Sequence, residues 1–218
     1  MFVCISTKNR NAFYNWTKYM VSRQTIPVKV VIVDGSESPS IWKSWPDAFY
    51  NHSPNIILGK SRNLAMSIAL ENGAKYISIW DDDDYYESWH LEKAIDLLNK
   101  DKYRKAVGSS LTPIYFQKYN ELWNTGPFIK NHAIEPSLVF HADLAKTNLF
   151  NPEDSRGLGG YFLNNFTVPL IQMKGSHMII AHGENTVNKD ELRKIPSRYK
   201  AKQVDISGLP TILNQYPV

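Results

Sequence analysis

The chain has 218 residues, a length that suits one domain with a sizeable core. Hydrophobic residues make up 43% and charged residues 21%, which argues against disorder outside the chain ends. The net charge is +4, and the single cysteine, Cys4, excludes an internal disulfide, so a cytoplasmic location is predicted. No apolar run approaches the roughly 20 residues of a membrane-spanning helix, and the first residues do not resemble a signal peptide.

Short apolar runs alternate with helical patterns through the first half of the chain. Strands are predicted, in chain order, at Phe2–Ser6, Val28–Val33, Asn55–Leu58 and Lys75–Trp80. Helices are predicted at Ala12–Arg23, Ser61–Glu71 and Glu87–Lys100. Repeated strand–helix units predict an α/β fold of Rossmann-like layout, with a mostly parallel central sheet flanked by helices.

The second half of the chain is less regular. Strands are predicted at Ala106–Gln117, Ser137–Phe140 and Met178–Ala181, helices at Ala142–Thr147 and Lys189–Lys194, and a loop at Phe150–Gly160. The absence of a linker or repeat predicts a single domain over residues 1–218. Residues 1–105 are expected to bind a nucleotide, residues 106–188 to complete the site, and residues 189–218 to form a basic lid or tail.

Four consecutive aspartates, Asp81 to Asp84, follow directly behind the apolar run that ends at Trp80. Open α/β sheets bind ligands beyond the carboxyl ends of their strands. Carboxylate oxygens suit Mg²⁺ or Mn²⁺, which are commonly held by one or two carboxylates together with substrate phosphates. The run therefore predicts a divalent-cation site. The alternative is a solvated acidic turn before the next helix, where negative charge is also favourable.

Four segments carry a resemblance to one family, in this order: Ser6–Arg10, Val31–Ser36, Gly59–Ala65 and Trp80–Asp84. The chain resembles the nucleotide-sugar glycosyltransferases of the GT-A fold, particularly the family-2 type. In that family the last three stretches run hydrophobic-Asp-Asp-Gly-Ser, Gly-x-x-x-Ala-Arg-Asn-x-Ala and hydrophobic-Asp-x-Asp-Asp. The resemblance covers the first half well. It implies a GT-A fold and an inverting transfer of a sugar from a nucleotide-sugar, a UDP-sugar, to a hydroxyl acceptor.

The same resemblance assigns residues to the nucleotide-sugar pocket. It implies that Asp34 accepts hydrogen bonds from the base, although an Asp-Gly turn alone also explains this residue. Arg62 and Asn63 open the helix after the third predicted strand, where N–H groups and a guanidinium favour phosphate. A surface ion pair is the alternative for Arg62. Thr7 and Arg10, behind the first strand, are expected to line the same pocket.

Within the acidic run, the family register makes Asp81 and Asp83 the Asp-x-Asp pair. Asp81 then faces the ribose and Asp83 binds the metal that bridges the diphosphate, with Asp81 beside it as a further ligand. Asp82 is expected at the nucleotide-sugar. A shift by one residue, to Asp82 and Asp84, is the open alternative. The expected cofactor is Mn²⁺ or Mg²⁺, which neutralises the charge on the leaving nucleotide.

A late segment, Ala181–Thr186, resembles the family's His-x-x-Asn segment, in which the histidine completes the metal shell. That likeness makes His182 a candidate ligand, since neutral imidazole binds Mn²⁺. His177 competes with it for the role. The basic stretch that follows is in the position where a mobile lid closes over the diphosphate in this family.

The general base must be a carboxylate within hydrogen-bond reach of the acceptor hydroxyl. Many relatives place a Glu-Asp pair immediately before a helix in the second half, where this chain has Gly159 and Gly160. Asp154 is the predicted base, with Glu153 and then Glu135 behind it.

Other functions remain open at this point. The acceptor is expected to be a glycan or another hydroxyl compound, and hydroxymethylated DNA bases are a minority alternative that the basic charge would suit. A sugar nucleotidyltransferase would be expected to carry a Gly-rich loop after the first strand, which this chain lacks. A nucleotide-binding module that has lost catalysis is a further class, favoured by the missing Glu-Asp pair.

Overall fold

The structure is a computed structural model that describes residues 1–124, 130–155, 159–164, 167–183, 185, 202–204, 213 and 216–217. Its strands are β1 (Phe2–Thr7), β2 (Lys29–Asp34), β3 (Phe49–His52), β4 (Tyr76–Trp80), β5 (Tyr85–Tyr86), β6 (Ala106–Gly108), β7 (Pro113–Phe116), β8 (Glu121–Asn124), β9 (Val139–His141), β10 (Leu170–Gln172), β11 (His177–Ala181) and β12 (Lys202–Val204). Its α-helices are α1 (Tyr14–Ser22), α2 (Leu58–Glu71), α3 (His90–Lys100), α4 (Ala142–Ala145) and α5 (Gly159–Phe162).

A seven-stranded sheet forms the centre of the fold, in the order β10-β6-β9-β4-β1-β2-β3. Neighbouring strands are parallel except at β9, which runs antiparallel to both β4 and β6. The strand order reverses at β1, which has β2 on one side and β4 on the other. The predicted α/β fold with a mostly parallel central sheet is confirmed.

Helices cover both faces of this sheet because its central strands are apolar on both sides. Val3 and Ile5 of β1 belong to the core beneath α1 and α3, together with Trp16 and Leu91. The alternate β1 residues, among them Cys4, pack under α2 on the opposite face. Burying each such side chain contributes about 1.5–3 kcal/mol, so the two cores together hold the sheet between its helices.

The third predicted strand, Asn55–Leu58, is wrong. The strand that pairs with β2 is β3, Phe49–His52, and it lies earlier in the chain. Asn55 has a φ of 58°, in the left-handed region that interrupts a strand, and α2 already begins at Leu58. The apolar pair Ile56 and Ile57 gave the strand-like pattern, but these residues form the connection that leads into α2.

The predicted strand Ala106–Gln117 is also wrong as a single element. The chain leaves the central sheet after β6, turns through Ser109, whose hydroxyl donates to the carbonyl of Leu111, and then enters a second sheet as β7. This second sheet has the order β12-β8-β7-β11-β5 and was not predicted. It brings β11 parallel to β7 and antiparallel to β5, the two-residue strand just behind the aspartates.

Later elements agree with the sequence in part. The late strand is confirmed as β11, whereas the predicted strand at Ser137 begins only at β9, after a 3₁₀ turn that contains Pro136. The helix at Ala142 ends at Ala145 rather than Thr147. Helix α5 lies partly inside the predicted loop. The predicted helix Lys189–Lys194 falls outside the described residues, and none of the described helices is long and apolar enough to cross a membrane.

Candidate active site

A cavity of about 610 Å³ opens at the carboxyl ends of β1 and β4. It lies where the strand order reverses, which is the position where open α/β sheets bind ligands. Four segments of the chain form most of its wall: Ser6–Arg10, Asn55–Leu58, Asp81–Asp84 and Ile134–Pro136. The predicted nucleotide-pocket or metal residues that line it are Thr7, Arg10, Arg62, Asp81, Asp82 and Asp83.

Asp82 ties the acidic run to the end of β1. Its side chain is 3% exposed and accepts hydrogen bonds from Thr7 Oγ1 at 2.7 Å and from Arg10 Nη1 at 3.0 Å. Its backbone carbonyl accepts from Thr17 of α1 at 2.6 Å. Burial, and then the charge of Asp83, raise the pKa of Asp82 to about 7 in spite of the Arg10 guanidinium. Thr7 and Arg10 therefore hold this carboxyl at the floor of the cavity.

Asp83 is the most heavily bonded of the four aspartates. Its Oδ2 contacts a guanidinium nitrogen of Arg10, lies 3.0 Å from His182 Nε2, and is 3.4 Å from the side-chain nitrogen of Asn185. Burial opposes its charge, but the hydrogen bond from His182 and the charge of Arg10 outweigh that cost and hold the pKa of Asp83 below its usual value. Asp83 and His182, which were predicted as ligands of one metal ion, thus contact each other directly in the structure.

Asp84 contacts the cavity, but its carboxylate is bound to β11. His177 Nε2 lies 2.7 Å from Asp84 Oδ2, and the backbone N–H of Ile180 donates to Oδ1 at 3.3 Å. The Trp16 indole donates to the Asp84 carbonyl at 2.9 Å. These bonds fix the acidic run against the second sheet. They also occupy Asp84, a ligand in the shifted register, and His177, the alternative to His182.

Asp81 forms a charged group with Arg62 and Glu135. Arg62 Nη2 donates to Asp81 Oδ1 at 2.8 Å, and Nη1 lies 4.0 Å from Glu135 Oε1. Arg62 is only 4% exposed, and its guanidinium lies 5.5 Å from the centre of the Phe150 ring. Desolvation raises the pKa of Asp81 and Arg62 opposes this, while the 39% exposure of the carboxylate lets water screen the neighbouring charges. Arg62 is therefore a buried cation of the cavity wall rather than a surface side chain.

The residues around the acidic run do not fit a divalent ion between Asp82 and Asp83. One guanidinium nitrogen of Arg10 contacts both carboxylates and occupies the position between them. Within the described ranges, no three His, Cys, Asp or Glu side chains converge as a set of metal ligands. An ion at this position would have to displace Arg10.

Asp34 does not line the cavity. Its side chain is fully buried and accepts hydrogen bonds from the backbone N–H of Ser36 at 2.9 Å, from both N–H and hydroxyl of Ser40, and from Tyr50 at 2.8 Å. Burial opposes its charge, but these donors hold the pKa of Asp34 below its usual value. The Asp34 carboxylate is thus bonded within its own turn and by Tyr50, as the turn explanation expects. The neighbouring Gly35 lines the cavity instead.

Four other predicted site residues lie outside the cavity lining: Asn63, Glu153, Asp154 and His182. The side-chain amide of Asn63 accepts a hydrogen bond from the Phe150 N–H at 2.8 Å and donates one to the Phe150 carbonyl at 2.9 Å. These bonds hold the following loop against α2. Glu153 forms an exposed ion pair with Lys60 at 3.2 Å. Asp154 accepts a hydrogen bond from the Gly59 N–H through its backbone carbonyl. Glu135, the third candidate base, is the one that the structure places in the cavity wall.

Tyr216 is a site residue that the sequence did not reveal. Its hydroxyl donates to the Asp83 carbonyl at 2.7 Å, and its ring lies within 6 Å of the rings of Phe13, Trp16 and His182. It is 5% exposed. An aromatic residue in a basic C-terminal segment was the available signal, but nothing in the sequence connects it to the aspartates 133 positions earlier.

A mostly parallel α/β sheet with an acid-lined cavity at its switch point is the arrangement expected of a GT-A fold. A family model described as Glycosyl transferase family 2 matches residues 3–148. The chain therefore belongs to glycosyl transferase family 2. No curated protein sequence matches this chain significantly.

Solved structures support the fold. S. aureus TarS in complex with UDP-GlcNAc aligns with a TM-score of 0.63 at 16% identity, covering 84% of this chain and 59% of that one. A complex of TarS with UDP gives a TM-score of 0.61 at 16% identity, with 82% and 60% covered. The mannosyltransferase PcManGT from Pyrobaculum calidifontis, in complex with GDP-Man and Mn²⁺, gives 0.58 at 13% identity, with 91% and 61% covered. The chain spans about three-fifths of the length of these proteins.

Proposed function

We propose that this protein transfers a sugar from a UDP-sugar to a hydroxyl group of an acceptor, with inversion at the anomeric carbon. The cavity at the junction of β1 and β4 carries this proposal. It joins the Thr7–Arg10 segment, the buried Arg62 and the acidic run in one pocket, and its volume suits a small-molecule ligand. The UDP-GlcNAc and UDP complexes of the TarS structures support a uridine nucleotide as the donor.

Two mostly buried arginines in the pocket support a donor with a diphosphate. Arg62 and Arg10 both line the cavity, and both are mostly buried. Buried guanidinium groups bind phosphate oxygens through paired N–H donors, more strongly than exposed ones do. Asp81, next to Arg62 and 39% exposed, remains the candidate for the ribose hydroxyls. We keep Thr7, Arg10, Arg62, Asp81 and Asp82 as proposed donor-site residues.

Glu135 is the proposed general base. It lines the cavity beside Arg62, whereas Asp154 and Glu153 do not. A carboxylate here takes the proton of the acceptor hydroxyl as that oxygen attacks the anomeric carbon and the bond to the leaving UDP breaks. In this proposal residues 1–105 supply the donor side, and residues 106–188 supply Glu135 and the acceptor side.

Metal dependence is not part of this proposal. The contact of Asp83 with His182 and the Mn²⁺ in the PcManGT complex favour an ion at the predicted ligands Asp81, Asp83 and His182, but the Arg10 guanidinium contacts Asp83 and competes with an ion there. The lid role of residues 189–218 stays a prediction, supported at one point by the bond from Tyr216 to Asp83. A cytoplasmic location likewise stays a prediction that rests on the single cysteine.

The test is release of UDP from a panel of UDP-sugars, with GDP-mannose as the competing donor. Wild-type protein is incubated with each donor alone, with simple glycoside acceptors, and with hydroxymethylated DNA. Acceptor-stimulated release of UDP from one sugar is the expected result. If DNA is the only acceptor that stimulates the release of UDP, the DNA acceptor is favoured. Release of GDP from GDP-mannose, with no release of UDP from any UDP-sugar, would overturn the uridine assignment.

A non-catalytic nucleotide-binding module is the second candidate. Gly159 and Gly160 stand where many relatives carry a Glu-Asp pair, and this is the observation that favours it. The two functions differ in one result. A binding module is stabilised against heat by a UDP-sugar yet releases no UDP from it, whereas a transferase does both.

A further inference from the structure

Arg10 contacts two acidic side chains of the cavity wall at once. Its Nη1 lies 3.0 Å from Asp82 Oδ1 and also contacts Asp83 Oδ2. The carboxylates belong to neighbouring residues, and both are buried. Two adjacent buried carboxylates repel each other unless a positive charge lies between them. The guanidinium of Arg10 supplies that charge.

Arg10 is held firmly in this position. Its side chain is 15% exposed and its guanidinium carbon lies 5.4 Å from the centre of the Phe13 ring. Its backbone carbonyl accepts a hydrogen bond from the Trp42 indole at 3.3 Å. Burial acts to lower the pKa of Arg10, but the charges of Asp82 and Asp83 outweigh it and raise that pKa. Because both the guanidinium and the backbone carbonyl of Arg10 are held by neighbouring groups, its contact with the aspartates differs from a flexible surface ion pair.

A divalent ion and this guanidinium compete for one position. Mg²⁺ requires carboxylate oxygens at about 2.0–2.1 Å, and such an ion next to Asp82 and Asp83 would lie within contact distance of Arg10 Nη1. Two cations at that separation repel strongly in a buried site. Only one of them is accommodated at a time.

We propose that Arg10 is the resident cation of the Asp82–Asp83 pair, that it excludes a divalent ion from the free protein, and that it supplies the positive charge that faces the donor diphosphate. The last part rests on the proposed function, since it assumes a nucleotide diphosphate in the cavity. The first two parts concern the protein alone. Arg10 lines the cavity, so its charge is available to a bound ligand.

The exclusion is tested by titrating the donor-free protein with Mn²⁺ and following the electron paramagnetic resonance signal of the free ion. Arg10→Ala is compared with wild type and with Arg104→Ala, which removes the same charge from an exposed ion pair with Asp101. The expected result is a Mn²⁺ site in Arg10→Ala that is about tenfold tighter or more than in the other two proteins. Equal Mn²⁺ affinity in wild type and Arg10→Ala would overturn the proposal.

A second variant locates the new site and guards against misfolding. Adding Asp83→Asn to Arg10→Ala is expected to remove the gained Mn²⁺ affinity, and its persistence would overturn the assignment to this pair. If Arg10→Ala does not fold, as judged by circular dichroism, Arg10→Gln replaces it. Glutamine keeps hydrogen-bond donors but carries no charge, so it is also expected to admit Mn²⁺.

The role toward the donor is tested by calorimetric titration of UDP in the presence of EDTA. Wild type is expected to bind UDP without added metal. The affinity of Arg10→Ala for UDP is expected to be lower by a factor of about ten or more. Binding by wild type only after Mn²⁺ is added would overturn this role. No UDP binding under either condition would instead defeat the proposed function, while the Mn²⁺ titration of the free protein still decides the position of Arg10.

Discussion

His177 Nε2 lies 2.7 Å from Oδ2 of Asp84, and both side chains are almost fully buried. This pair joins the end of the acidic run to β11, across the boundary between the two sheets. It gives the last aspartate a structural role and leaves Asp81, Asp82 and Asp83 facing the cavity with Arg62 and Arg10.

Replacement of Asp84 is therefore expected to lower stability rather than donor affinity. Asp84→Ala leaves a buried ring nitrogen of His177 without its hydrogen-bond partner, which costs about 1–3 kcal/mol. Urea denaturation followed by circular dichroism measures the loss. Asp143→Ala is the comparison, since it breaks an exposed ion pair with Lys146 and its loss of stability is expected to be smaller. An equal loss in the two variants would contradict the structural role of Asp84.

Glu135→Gln is expected to reduce the transfer rate by about 10²–10⁴-fold, because glutamine cannot accept the acceptor's proton. UDP binding should be almost unchanged, which calorimetry checks. Glu153→Gln serves as the control, since it removes the same charge from an exposed ion pair with Lys60 outside the cavity lining. A severe loss of transfer in the control, with an active Glu135→Gln, would reassign the base to the loop that contains Glu153.

Gly59 of α2 packs directly on the loop that follows Phe150. A Cβ at this position would lie 1.9 Å from the carbonyl oxygen of Asn151, a backbone atom that cannot turn aside. Gly59→Ala is expected to cost about 1–3 kcal/mol, or to detach the loop. Gly183→Ala is the matched control, because a Cβ there meets nothing within 4 Å. Thermal unfolding of both variants measures the difference, and equal melting temperatures would contradict this packing.

His90 predicts a loss of stability in mild acid. Its ring is fully buried among Trp80, Tyr86 and His177, and burial first, then the charge of His177, lower its pKa to about 3. In the unfolded chain the pKa is about 6.5, so below that pH the unfolded state binds the extra proton. The contribution of neutral His90 to the free energy of unfolding is therefore complete above about pH 6.5 and declines as the pH falls toward 3. At pH 5 the free energy of unfolding is lower by about 2 kcal/mol than at neutral pH.

His90→Phe removes this titration and also two ring nitrogens that have no hydrogen-bond partner among the described residues. Denaturant unfolding at pH 7 and pH 5 is expected to show a smaller difference for His90→Phe than for wild type. His141→Phe serves as the control, since His141 is only partly buried and should change the difference less. An unaltered pH dependence in His90→Phe would contradict a neutral buried histidine.

The central fold could be predicted because its strands are continuous apolar runs. Val30 to Val33 are all buried, on both faces of the sheet, and no amphipathic surface element has that pattern. The third strand could not be predicted, since Phe49–His52 is half-buried throughout and lacks such a run. A strand of two residues such as β5 leaves no periodic pattern, and the second sheet was missed with it.

The site was predicted where it depends on sequence neighbours and missed where it depends on packing. Four aspartates behind an apolar strand indicated a ligand site at once. The contact of Arg10 with Asp83 joins residues 73 positions apart, and the side-chain directions that produce it follow from the order of strands. The position of Glu135 in the cavity wall likewise depends on the 3₁₀ turn before β9, which the sequence did not predict.

The most direct test of a donor site in this cavity is the affinity of UDP for the wild-type protein and for Arg62→Ala, measured by calorimetry. Lys60→Ala is the control, since Lys60 is two positions away in the same helix, with its side chain 51% exposed and outside the cavity lining. One UDP site is predicted in wild type and in Lys60→Ala, and the affinity of Arg62→Ala for UDP is predicted to be lower by a factor of about ten or more. Equal affinity in all three proteins, or no binding to wild type, would contradict a donor site in this cavity.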